Sequence, residues 1–118
     1  MSFLKKMFGK QNSLDEMRRC HARQDWAGVL NFVGQIDRNE LDAATVAEIA
    51  RWEAQAGDTL AAINLDEGLW AQKSGNLLRA REDFQLAIEQ SRSGQLRERA
   101  EQALAALERG DLPPEEPL

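Results

Sequence analysis

Apolar residues recur along this chain at spacings of three and four, the period of a helix with one buried face. The first such run opens at Ser13, where S-L-D-E offers Ser13 as N-cap and Glu16 as its capping-box partner. Leu14, Met17 and either Cys20 or His21 then mark the inward stripe, and Asp15 and Arg19 can pair one turn apart. Asp25 caps a second run carried by Trp26, Val29, Leu30, Val33 and Ile36. The polar stretch 37–42 reads as a loop, with Asp42 capping a third, alanine-rich helix over about 43–56 that Gly57 ends. Asp58 or Thr59 opens a fourth over about 59–74, with Leu60, Ile63, Leu65, Leu69 and Trp70. Gly75 ends it and Asn76 caps a fifth over about 77–91. After Ser93-Gly94 a sixth runs to about Arg109 on Leu96, Ala100, Ala103, Leu104 and Leu107, and Gly110 stops it. The pattern predicts an all-α fold of about six helices, with short turns that make neighbours antiparallel. Helices four and five are apolar around much of their circumference and belong between others, whereas the last is narrower and suits a terminal cap.

Proline supports this reading. All three prolines (Pro113, Pro114, Pro117) lie in the last six residues, so nothing before them forces a helix to break. Ala, Leu, Glu, Gln and Arg dominate, and these are strong helix formers. The expected organisation is a basic, apolar arm over 1–12, a helical domain over 13–110 and a disordered, acidic, proline-rich tail over 111–118.

Small and large residues stand at fixed offsets in 61–94. Gly68 lies in the first helix, Gly75 at the turn, and Ala80, Phe84 and Ala87 form a small-large-small series in the second. In these positions the chain resembles the tetratricopeptide repeat, a helical hairpin of about 34 residues. Glu67, Ala71 and Arg92 depart from it where leucine, an aromatic and proline are usual. A second copy can be drawn over about 10–43, with Val29, Val33 and Ile36 at the offsets of Ala80, Phe84 and Ala87. A third can be drawn over about 43–76, but it assigns Leu60 to Lys73 to the opposite helix of the hairpin, so the registers compete. The resemblance implies hairpins stacked as a short α-solenoid that binds peptides or partner proteins, with the first helices lining the concave side. On the best copy the outward positions are Leu65, Leu69, Gln72 and Lys73; on the N-terminal copy they are Leu14, Arg18 and His21. Arg51 follows Arg18 by 33 residues, so Arg18, Arg51 and Lys73 could form a basic strip for a carboxylate, or simply be solvated charges.

Charge and chemistry narrow the function. A net charge of −5 opposes nonspecific nucleic-acid binding, which needs a basic face. No apolar run is long enough to span a bilayer, the N-terminus lacks the h-region of a signal peptide, and a lone cysteine suits a cytoplasmic setting. Phe3, Leu4, Met7 and Phe8 share one side of a helix, with Lys5, Lys6 and Lys10 elsewhere. That arm suits an anionic membrane surface, self-association into a homo-oligomer, or simple packing on the core. Cys20, His21 and Asp25 invite a metal or nucleophile reading, but one histidine and one cysteine cannot complete a structural zinc site. Adjacent helical residues also point about 100° apart. The carboxylate pairs Asp15-Glu16, Asp66-Glu67 and Glu82-Asp83 have no second catalytic group beside them and read as solvated faces. Arg79, Arg81, Arg92, Arg97 and Arg99 are offset by neighbouring acids. No metal, cofactor or catalytic residue is expected. At least two of Trp26, Trp52 and Trp70 are expected in the core, and an exposed one would anchor an interface. The expected function is a non-catalytic adaptor for a protein or peptide.

Overall fold

The computed structural model describes the backbone of residues 2–111 and the side chains of residues 12–111. The fold is all-α: α1 (Ser2–Ala22), α2 (Trp26–Val33), α3 (Ala43–Lys73), α4 (Leu77–Gln90) and α5 (Gly94–Glu108), with no strand among the described residues. Among the described residues the helices number five because the third and fourth expected ones are a single 31-residue helix. Gly57 does not end it. A glycine inside a helix costs about 1 kcal/mol relative to alanine, and buried residues on both sides, Ala56 and Ala61, outweigh that. Asp58, the residue expected to cap a new helix, is engaged elsewhere: its Oδ1 accepts hydrogen bonds from the backbone N–H groups of Arg92 and Ser93 at 2.7 and 2.9 Å.

α1 likewise runs unbroken through Ser13, which is buried in its interior and is not an N-cap. Residues 2–12 hold no proline and are rich in helix formers, so no local signal stops the helix from extending N-terminally. The side chains of Phe3, Leu4, Lys5, Lys6, Met7 and Phe8, and the tail 112–118, lie outside the described residues.

The caps expected at Asp25, Asp42 and Asn76 are present, and Ser93, expected only to separate two helices, caps α5 as well. Asp25, Asp42, Asn76 and Ser93 each accept a hydrogen bond from the backbone N–H three residues on, satisfying donors that a helix start leaves open. The bond from Thr45 holds the Asp42 carboxyl below its ordinary range. Gly75 ends α3 at φ +83°, a conformation open to glycine at little cost. α2 stops at Val33, short of Ile36, yet Ile36 remains buried.

The chain divides into two compact units at Gly57/Asp58, each with its own core. In the first, α1 packs on α2. Met17, Cys20, Val29, Val33, Ile36, Ile49 and Ala56 are buried together, flanked by half-buried Leu14, Trp26 and Trp52. In the second, α4 packs on α5, and Ala61, Leu65, Ala71, Ala80, Phe84, Ala87 and Ala100 form the core. Alanine supplies most of that core, so the one large ring, Phe84, fills the space between closely spaced helices. Gly68 lets α3 approach: a Cβ there would lie 2.5 Å from Phe84 Cε1.

Asp58 ties α3 to the α4–α5 connection. Asp58→Ala leaves two backbone donors without their partner, and we expect a loss of about 1–2 kcal/mol. Urea denaturation followed by circular dichroism measures it; a change within about 0.3 kcal/mol would show that water replaces the carboxylate without cost.

Candidate functional site

Within the second unit, α3 and α5 form the walls of a hollow of about 450 Å³. Leu65 and Leu69 come from α3; Arg99, Gln102, Ala103 and Ala106 come from α5, and Arg109 is its C-cap. Both sets follow helical periodicity: Leu65 and Leu69 are one turn apart, and the α5 residues recur at three- and four-residue steps along one stripe. The floor is apolar and the rim carries two guanidinium groups, with no carboxylate in the lining. Arg99 is exposed and makes no ion pair or hydrogen bond among the described residues. Arg109 is held by Asp111, whose Oδ2 lies 3.0 Å from its Nε. Gln72 donates to the Asp111 carbonyl at 2.9 Å, fixing the chain just past the end of α5.

The expected partner-binding residues fall in different surroundings. Leu65 and Leu69 line this hollow, Leu65 almost fully buried and Leu69 half-buried. Gln72 is spent on Asp111, and Lys73 is exposed in the last turn of α3. Arg18, Arg51 and His21 belong to the first unit. Arg18 donates to Glu48 Oε1 through Nε and a terminal nitrogen at 3.2 and 2.9 Å, so that guanidinium already has a carboxylate. Arg51 is exposed and makes no ion pair among the described residues.

His21 is built into an aromatic cluster. Its ring stacks on Trp52 with centroids 3.9 Å apart and planes 6° apart, and meets the edge of Trp26 at 5.8 Å. Its Nε2 lies 2.9 Å from Gln55 Oε1. Cys20, next to it in sequence, is buried, and that burial, with the adjacent Asp25 carboxylate, pushes the thiol up, away from the reactive thiolate. Cys20 and His21 therefore serve packing here, and no three His, Cys, Asp or Glu side chains converge among the described residues.

None of the tryptophans is fully buried. Trp26 and Trp52 flank the first core, whereas Trp70 is 72% exposed beside Asp66, Glu67 and Leu69. Trp70 sits in the last turns of α3, just before the turn at Gly75. The sequence reading missed Arg99, Gln102, Ala106 and Arg109 as groove residues. The apolar stripe read on that helix shares only Ala103 with the groove, and nothing in the local sequence said which helix the more polar face would meet.

No protein-family model, curated relative or solved structure matches this chain. Among the described residues, no helix is long and apolar enough to cross a membrane.

Proposed function

We propose that this chain is a non-catalytic, tetratricopeptide-like interaction module that holds a segment of a partner protein in the groove between α3 and α5. The observation that carries this reading is the groove itself, with its apolar floor, a rim of Arg99 and Arg109, and no lining carboxylate. Its volume of about 450 Å³ lies within the range of functional clefts. An apolar side chain of the partner covers Leu69, Ala103 and Ala106, and an acceptor group meets Arg99, whose planar fork suits a carboxylate or a backbone carbonyl. The family resemblance is supported by Gly68 lying against Phe84, and by Ala80, Phe84 and Ala87 all being buried. The buried, lone thiol of Cys20 suits work in the reducing cytoplasm.

The test is affinity capture from the native cell with the wild type and with Arg99→Glu combined with Ala106→Glu. The double variant should recover the specific partner at least about tenfold less well, the scale of losing one central contact. Its melting temperature should stay close to that of the wild type, because both positions lie on the groove and outside the fully buried core. Arg51→Glu, in the other unit, should capture as the wild type does. Undiminished capture by the groove variant would overturn the reading.

A further inference from the structure

Trp70 stands out from the groove and from both cores. It is 72% exposed, and with Asp66, Glu67 and Leu69 it lines a second hollow of about 440 Å³ on the second unit, which shares only Leu69 with the groove. Asp66 and Glu67 lie one turn before Trp70, and a helical side chain leans toward the preceding turn, so ring and carboxylates share one surface. Neither carboxylate has an ion pair or hydrogen bond among the described residues. Arg79 lines the adjoining hollow with Glu67 and Trp70. Arg79 is directed to Asp83 instead, with Nε 3.7 Å from Oδ2. An aromatic face with two unsatisfied carboxylates beside it and Leu69 below selects a cationic side chain carried on an apolar segment.

The chain itself contains such a segment. Its first fourteen residues hold Lys5, Lys6 and Lys10 among Phe3, Leu4, Met7 and Phe8, with no acid before Asp15. In a protein of net charge −5 this is a concentrated block of positive charge. We propose that the acidic–aromatic surface of Asp66, Glu67 and Trp70 binds the lysine-bearing segment 3–10 of a second copy, so that the chain self-associates head to tail. The lysine ammonium groups meet the carboxylates and the Trp70 face, and apolar residues of the segment cover Leu69. The contact is heterologous: one copy gives its segment and the other its surface, so a pair leaves one of each open and the assembly can close as a ring or continue. Leu69 borders both this surface and the groove, but Asp66, Glu67 and Trp70 do not line the groove, so a failed capture experiment there leaves this inference standing.

Sedimentation velocity of the full chain over a concentration series tests it. The wild type should self-associate, more weakly as salt rises. Trp70→Ala should weaken the association at least about threefold, the scale of one exposed cation–π contact. Asp66→Lys with Glu67→Lys, and separately Lys5→Glu with Lys6→Glu, should each be monomeric with the wild-type helical signal. An equimolar mixture of these two charge-reversed proteins should associate again, because each then meets an opposite charge on the other. Three results overturn the proposal: a wild type that is monomeric throughout, a surface reversal that associates as well as the wild type, or a mixture that stays monomeric. The mixture also separates association between copies from docking within one copy, which would give no larger species.

Discussion

Phe84→Ala is expected to lower the stability of the second unit by about 3–5 kcal/mol, the cost of removing a fully buried aromatic ring. Phe84 has no exposed surface, and its neighbours in the core are mostly alanines. Alanine side chains cannot swing into the void, so the cavity term adds to the lost transfer energy instead of relaxing away. Small domains hold only about 5–15 kcal/mol in reserve, which makes this single change a large share of the total. Urea denaturation followed by circular dichroism measures it. A loss under about 1.5 kcal/mol would mean that the helices close over the cavity and that the ring is not what spaces them.

Gly68→Ala carries two opposed effects. Helix propensity favours alanine by about 1 kcal/mol in the middle of α3. Against that, the new Cβ would sit 2.5 and 2.6 Å from Phe84 Cε1 and Cδ1 and 3.2 Å from Asp83 Cβ. The ring is enclosed and cannot yield without moving α4 on α3, and overpacking of this kind costs about 1–3 kcal/mol. Sterics should win, giving a net loss although alanine is the better helix former. Gly68→Ala with Phe84→Leu isolates the cause, because a smaller side chain at 84 makes room for the methyl group. The double variant should be more stable than the sum of the two single losses predicts, with a coupling of at least about 0.5 kcal/mol. Strict additivity in the same urea titration would mean that the methyl group and the ring never meet.

The sequence was most legible where the cause is local. Asp25, Asp42 and Asn76 cap helices as expected, because a cap is a bond between residues three apart in the chain. Gly75 also ends α3 as expected, because a left-handed turn is a property of one residue. Gly57 and Ser13 misled for the complementary reason. Each is a plausible boundary within its own window, but each lies inside a longer helix with buried neighbours that the window does not contain.

The same division applies to the candidate surfaces. Leu65 and Leu69 were legible as an apolar pair one turn apart, whereas Arg99 looked like a member of a balanced, solvated charge pattern and Arg109 like no more than the end of a helix. Asp66 and Glu67 read as an ordinary acidic face until Trp70 proved exposed beside them and no cation proved to answer them among the described residues. His21 looked free to meet a partner, yet its ring is stacked on Trp52, a residue 31 positions away.

By itself, then, the order of residues determined that this chain is helical, where most of its helices start, and which small-large-small series would be buried, because dihedral preference, capping and apolar period act over one or two turns. Only the tertiary structure decided that two expected helices are one, that α5 faces α3 across a groove, and which charges are already answered, because those outcomes depend on contacts between residues distant in sequence, whose energies no local window contains.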